Sequence, residues 1–434
     1  MRRFTFVILM LLSFKAQALN RYERDFVYQL GKLPKDTQKL TWTEGQLGEL
    51  PEQIIELQQL KSLNLKQNNF ETWPAPLHKL GSLETLILDQ NQIKNLPPSL
   101  SKLQNLQWLF LRHNQIQSVP KQIWDLSKLK ILYLDHNQIS QLPTTDKTLA
   151  LKEISLSHNQ LSQIPVNLLK NTPALQVLDL SGNKLKDAIA PWEDFAELES
   201  LDLSENQLTE LPVNFDQFKN LKNLSLAHNQ LKSIPSEVFS LANLEELDVS
   251  GNNINDLSDD LLELKNLRTL RVSDNPIKNF PVEILKLKKL QEVYLEGHEL
   301  SQEDIQDLKK NSGSRLHDKR VATSLENLSE NEIAKLDVIY LENQSLRQLP
   351  EELAKAERLA EIYLGENQLY KFPTQLLNTK NLLVIDLHHN FISQLPKDLS
   401  QFKKLQILNL SGNRVTEKEQ TRIEEALPNT KVTF

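Results

Sequence analysis

The sequence predicts an α/β solenoid, a curved array with a parallel β-sheet on its concave face and short 3₁₀ or one-to-two-turn helices on its convex face. Three observations lead there. First, an asparagine returns in one register at Asn68, Asn91, Asn114, Asn137, Asn159, Asn183, Asn206, Asn229, Asn252 and Asn275, then at Asn367, Asn390 and Asn413, with most steps 23 residues long. Second, an LxLxx run precedes each asparagine, and its apolar residues alternate with strand period. Third, the extended run stops soon afterwards, usually at a proline such as Pro97, Pro120 or Pro143. A segment like KQIWDLSKL then returns with apolar residues three apart, too short for a long helix.

Each element follows in order. Residues 1–18, MRRFTFVILMLLSFKAQA, combine two arginines, an apolar run of 11 residues from Phe4 to Phe14 and the small-residue site Ala16-Gln17-Ala18. They read as a secretory signal, with the mature chain starting near Leu19. The run is shorter than the ~20 residues a spanning helix needs, so no membrane span is expected. Residues 19–39 contain RYERDFVYQL, an amphipathic segment expected to form an N-terminal cap helix over the first leucine layer. Residues 40–300 are repeats, with Gly45 and His298 in the asparagine register of the edge copies.

Residues 301–335 break the pattern, and no strand motif is expected before Ile339–Leu341. The array nevertheless resumes in phase, because Gln344 lies 46 residues after His298. ELSQEDIQDLKK in the break resembles RVTEKEQTRIEE in the tail, so the break reads as a degenerate repeat or a former cap, now internal, and a place for a hinge. Residues 336–415 are repeats again. Residues 416–434 form a C-terminal cap, a helical charge pattern followed by a short strand-like end.

Within a repeat, Leu109 and Leu111 point inward while Trp108, Phe110 and Arg112 point outward. The asparagine sits where the chain leaves the strand, and its amide is placed to pair turn backbone that would otherwise be buried and unsatisfied, at roughly 1–3 kcal/mol per group. The asparagine column is therefore structural rather than catalytic.

The pattern LxxLxLxxNxLxxLP over residues 40–415 resembles the leucine-rich repeat family in its short LPxxIxxLxxL variety. The resemblance implies a leucine-rich-repeat solenoid whose variable strand positions bind a protein partner. Repeat type and signal together are similar to exported leucine-rich repeat proteins of pathogenic bacteria, leptospiral ones included, and more distantly to internalins. By that likeness the partner is a host cell-surface receptor, cadherins among them.

Composition excludes other classes. With no cysteine there is no disulfide, thiol catalysis, cysteine zinc site or cysteine lipidation. A net charge of −7 disfavours nucleic acid, which wants a basic stripe, and supplies no pull toward anionic membranes. Neither a GxSxG elbow, a phosphate loop nor HExxH occurs, and no enzymatic activity is expected.

Function is therefore sought on the outward strand columns. Ile87, Trp108, Phe110, Ile131 and Tyr133 are expected to be neighbours, an aromatic patch rimmed by Asp89, Arg112, His113, Asp135 and His136. Such a patch resembles the core of a protein interface, whereas large side chains simply filling a tightly curved surface is the plainer alternative. Asp179, Glu199, Asp202, Glu205, Glu245, Glu246 and Asp248 form an acidic zone, read first as solvated surface, with a basic partner or weak Ca²⁺ binding as alternatives. Tyr294, Tyr340 and Tyr363, beside Arg268 and Arg271, offer a second contact zone.

His113, His136 and His158 share one repeat position in consecutive copies, about 5 Å apart on stacked strands. A Zn²⁺ site is one reading of that column and a pH-sensitive rim is another; chance filling of a tolerant position is the plainer one. No other cofactor is expected.

The expected function is a secreted protein-interaction module of adhesin or virulence type, present as a monomer or weak homodimer. A periplasmic or envelope protein with a bacterial partner is the rival reading, and a metal- or small-ligand-binding module a third.

Overall fold

The structure, a computed structural model, describes residues 20–186, 196–211, 217–312, 315–326 and 328–434. The signal sequence expected at residues 1–18 lies outside them. The chain forms two units, one reaching to Val293 and including Glu299–Arg315, the other comprising Tyr294–His298 and Leu316–Phe434.

In the first unit, helix α1 (Arg21–Leu30) starts at a capping box in which Asn20 and Glu23 bond each other's backbone N–H. It buries Phe26 and Leu30, and Phe26 meets the Trp42 ring edge-on at 5.0 Å. Three-residue strands then follow once per repeat: β1 (Lys39–Thr41), β2 (Ser62–Asn64), β3 (Thr85–Ile87), β4 (Trp108–Phe110), β5 (Ile131–Tyr133), β6 (Glu153–Ser155), β7 (Val177–Asp179), β8 (Ser200–Asp202), β9 (Asn223–Ser225), β10 (Glu246–Asp248) and β11 (Thr269–Arg271). All pair in parallel and in chain order, and equivalent residues align, as in Leu86↔Leu109↔Leu132.

Period-2 alternation settles which side chains enter the core. Leu86, Leu109 and Leu132 at the strand centres are buried, whereas their neighbours on either side are half-buried on the open sheet face. Return segments are five-residue 3₁₀ turns such as Lys121–Asp125, entered through Pro120 and burying Ile123. Proline there holds extended backbone ahead of the turn, and its carbonyl accepts the first turn bond, from Ile123 N–H (3.0 Å). One repeat instead uses a single α-helical turn, α2 (Val166–Lys170).

The asparagine column is the main polar structure of the interior. Asn114 Nδ2 donates to the carbonyls of Leu88 (3.0 Å), Leu111 (3.1 Å) and Arg112 (3.3 Å), and its Oδ1 accepts from Ile93 N–H (3.0 Å). Asn137 repeats the set one layer on, with Leu111, Leu134, Asp135 and Ile116. Each amide thus pairs backbone of its own turn and of the preceding repeat. The residue before the asparagine adopts left-handed backbone, with φ of 53° at His113, 52° at His136 and 49° at His158. A non-glycine residue there carries roughly 1–2 kcal/mol of steric cost, which the amide network one residue later offsets.

After β12 (Glu292–Tyr294) and helix α3 (Gln302–Ser312), the break is more ordered than expected. Strands β13 (Leu316–His317) and β14 (Val321–Ala322) precede Ile339–Leu341, where the first strand was looked for. They were hidden because neither carries the LxLxx leucine pair. In the second unit β14, β15 (Val338–Tyr340), β16 (Glu361–Tyr363), β17 (Val384–Asp386), β18 (Ile407–Asn409) and β19 (Lys431–Thr433) form a parallel sheet in chain order. Helix α4 (Glu330–Ala334) opens with its own capping box from Ser329 and Glu332. Asn367, Asn390 and Asn413 repeat the amide ladder. Helix α5 (Glu417–Ala426) buries Ile423, and β19 pairs with β18, so the tail closes the last layer. Among the described residues no helix is long and apolar enough to cross a membrane.

Asn137→Ala removes the amide but leaves three carbonyls and the Ile116 N–H buried. The expected loss is about 2–4 kcal/mol, read as a lower urea midpoint. Gln117→Ala on the surface serves as control and should change stability by under about 0.5 kcal/mol.

Candidate functional site

The open sheet face of β3–β5 collects large apolar groups because its positions face away from the leucine core and carry no packing duty there. Ile87, Phe110 and Tyr133 align across three strands, with Trp108 and Ile131 alongside, all half-buried. Phe110 and Tyr133 meet edge to face at 5.3 Å. Arg112 lies over both rings, its guanidinium carbon 5.4 Å from Phe110 and 4.9 Å from Tyr133. Buried Asp89 holds that arginine twice, accepting from its backbone N–H (2.8 Å) and from Nε (3.2 Å). The Lys130 ammonium stands 5.9 Å from the Trp108 ring. The Tyr133 hydroxyl donates to Glu153 (2.7 Å); burial and this hydrogen bond push its pKa up to about 12. The five expected neighbours are thus together, and their rings are held before any partner arrives.

The rim differs from expectation. Asp135 is buried and accepts from the Ser157 hydroxyl (2.9 Å), and burial pushes its pKa up. It braces the neighbouring repeat through Ser157. Asp89 is likewise a buried brace. In the acidic zone, Asp179, Asp202 and Asp248 each accept the backbone N–H of the residue two ahead, at Ser181, Ser204 and Ser250. Glu199 pairs with Lys222 (2.8 Å) and Glu245 with Arg268 (2.9 Å). Much of that charge is therefore committed to turns and local pairs.

The three expected tyrosines all lie in the second unit, each with a ring partner. Tyr294 stacks on His317 at 4.4 Å, and Tyr340 stacks on Tyr363 at 4.6 Å. Tyr340 is exposed, whereas Val338 two residues before it is buried. Tyr363 donates to Glu361, and burial with that bond raises its pKa to about 12. Sequence reasoning missed a further pair, Tyr370 on Phe391 at 5.2 Å with the Arg414 guanidinium over Phe391 at 4.7 Å. These follow the asparagine, outside the strand columns, and interrupt positions that most repeats fill with polar residues.

His113, His136 and His158 form a continuous stack, with centroids 4.1 and 4.2 Å apart and planes within 10°. Nitrogen lone pairs lie in the ring plane, so stacked imidazoles present them side by side instead of converging on one ion. Among the described residues, the group of three whose donor atoms do converge is Glu342, Asp386 and His388, all within 4.8 Å of one another.

Comparison with known proteins agrees with this geometry. The leucine rich repeat family model matches residues 81–139, 149–208, 219–277, 242–300 and 357–415. A leucine-rich repeat protein of Leptospira interrogans is similar in structure, with a TM-score of 0.59 and 28% identity over 94% of this chain and 98% of that one. The ectodomain of a receptor kinase from Arabidopsis thaliana, solved with CASPARIAN STRIP INTEGRITY FACTOR 2, has a TM-score of 0.53 and 27% identity over 92% of this chain and 50% of that one. The functional domain of InlJ from Listeria monocytogenes shares the fold, with a TM-score of 0.52 and 18% identity over 88% of this chain and 75% of that one. No curated protein sequence matches the chain.

The histidine stack carries a pH signature. His136 has its edges in solvent but a ring against each face. Burial first, then the neighbouring His113 and His158, hold its pKa below the ordinary value, while Asp179 and Glu205 pull the other way. An imidazole so held is protonated sooner in the unfolded chain, so its contribution to stability is lost as pH falls through about 6.5. His136→Gln, a residue already found in this column at Gln67 and Gln90, should lose less thermal stability than wild type between about pH 7.5 and 5.5. Equal losses would remove the stack from the pH response.

Proposed function

The chain belongs to the leucine-rich repeat family, and we propose that it is an exported protein-binding module whose open sheet face at β3–β5 takes up a protein at a host cell surface. The observation that carries this reading is the patch of Ile87, Trp108, Phe110, Ile131 and Tyr133, with Arg112 fixed over two of its rings by a buried carboxylate. Isolated apolar residues on a surface are ordinary, but a contiguous group is not. Aromatic and arginine anchors ringed by polar groups are the composition of binding hot spots. Prior ordering of the rings lowers the entropy that a partner would otherwise have to overcome.

The family relationship supports binding over chemistry. A receptor ectodomain with 27% identity was solved in complex with CASPARIAN STRIP INTEGRITY FACTOR 2, and the leptospiral relative extends over nearly the whole chain. The apolar N-terminal run and small-residue site support export. A cadherin ectodomain, the receptor class suggested by likeness to internalins, is the first partner to try. Tyr340 and Tyr363 offer a second contact point on the other unit.

The test is binding of the purified chain to a panel of receptor ectodomains, with Trp108→Ala/Phe110→Ala beside wild type. Removing a central aromatic anchor costs at least ~2 kcal/mol, so affinity should fall roughly thirtyfold or more with circular dichroism unchanged. Saturable binding that ignores the double substitution would move the site away from β3–β5. Binding to no ectodomain, with capture of an envelope protein of the producing bacterium instead, would replace the host partner by a bacterial one.

A further inference from the structure

We propose that Glu342, Asp386 and His388 form a binding site for a divalent transition-metal ion of the Zn²⁺ class on the second unit. Glu342, Gly365 and His388 occupy the same position in three successive repeats. The middle one is glycine, and its missing side chain creates the site. A Cβ at Gly365 would stand 2.0 Å from Cε1, 2.2 Å from Nδ1 and 2.7 Å from Nε2 of His388. The imidazole therefore occupies the space that any other residue at 365 would fill, with both nitrogens turned toward the glycine. There it lies between Asp386 and Glu342.

Asp386 fixes the ring. Its Oδ1 accepts from the backbone N–H of His388 (3.0 Å) and pairs with Nδ1 (2.7 Å), while Oδ2 accepts from Asn409 Nδ2 (3.1 Å). A carboxylate held this firmly has one orientation to offer, as supporting groups in metal sites do. Glu342 is exposed, so its side chain is free to complete the set. One donor atom from each residue lies within 4.8 Å of the others. Donors on a tetrahedral ion at about 2.0–2.1 Å are roughly 3.4 Å apart, so rotation of Glu342 supplies the remaining closure.

Ligand chemistry selects the ion. An imidazole beside two carboxylates suits Zn²⁺ and its neighbours, whereas Ca²⁺ takes six to eight oxygens and Mg²⁺ keeps its water. Two negative charges also neutralise a divalent ion. Three protein donors leave at least one coordination position open to water or to a group from outside. The His113–His136–His158 stack shares a glycine gap, at Gly182, but its lone pairs run side by side and, among the described residues, no hydrogen bond between a carboxylate and these rings matches that of Asp386 with His388. This site shares no residue with the aromatic patch, and either one can fail without the other.

The experiment is calorimetric titration of ZnCl₂ alone into the chelator-treated full chain. One saturable Zn²⁺ per chain is expected, unaffected by excess Ca²⁺ or Mg²⁺. His388→Gln should weaken it at least tenfold, and so should Gly365→Ala, which displaces the ring without removing a ligand. Glu342→Gln, an exposed change that leaves folding alone, should weaken it severalfold. A His113→Gln/His136→Gln/His158→Gln variant should bind as wild type does. Zinc binding that survives His388→Gln and Glu342→Gln at wild-type affinity, or that disappears with the triple variant, overturns the proposal; so does the absence of saturable binding.

Discussion

A buried primary amide, repeated once per layer, is the constraint on which the rest of the structure depends. The strands of the regular repeats are three residues long, and each is followed at once by a turn that enters the interior. Backbone taken out of water there must find partners. The asparagine side chain supplies them, joining the turn of its own repeat to that of the previous one with both donor hydrogens and its carbonyl. No other short side chain has two donors and an acceptor at the required reach: aspartate lacks the donors and serine has only one. The ladder also sets the spacing, since a repeat out of register would leave two turns unsatisfied at once. It tolerates left-handed backbone at the preceding residue, which is why glutamine, histidine and glutamate fill a position that usually favours glycine.

Because core and ladder fix the fold, the sheet face is free to carry other chemistry. The same strand positions hold an aromatic group at β3–β5, turn-capping aspartates at β7, β8 and β10, and stacked tyrosines at β15 and β16. Neighbouring repeats place equivalent residues about 5 Å apart, so residues far apart in sequence become contiguous without any loop having to fold over them. Glycine in such a column acts as a vacancy into which a residue of the neighbouring repeat leans. His158 lies over Gly182, His228 over Gly251 and His388 over Gly365.

How much of this was legible in the sequence follows from the same logic. The period, the asparagine role and the inward leucines are local patterns repeated many times, the helix at Arg21–Leu30 is a single amphipathic run, and the aromatic group at Trp108, Phe110 and Tyr133 follows from aligning the repeats. Three things were not legible. Strands at Leu316–His317 and Val321–Ala322 lack the leucine signature and are defined by pairing alone. The engagement of Asp135 depends on the Ser157 hydroxyl one layer on, which a residue-by-residue reading does not register. The convergence of Glu342, Asp386 and His388 depends on what is missing at Gly365, and alignment of like with like does not register a gap. The histidines at 113, 136 and 158 show the converse: regular spacing suggested convergence, but stacking sets the rings parallel.

The most direct measurement of the ladder is amide hydrogen exchange on the intact chain. The N–H groups of Ile93, Ile116, Ile139 and Leu161 lie outside every strand and helix, yet each donates to an asparagine side chain at 2.9–3.0 Å. If those amides hold the array together, they should exchange as slowly as the strand amides of Leu109 and Leu132, opening only with the whole unit. Exchange at the rate of ordinary turn amides would mean that the asparagine column decorates the fold and that leucine packing alone maintains it.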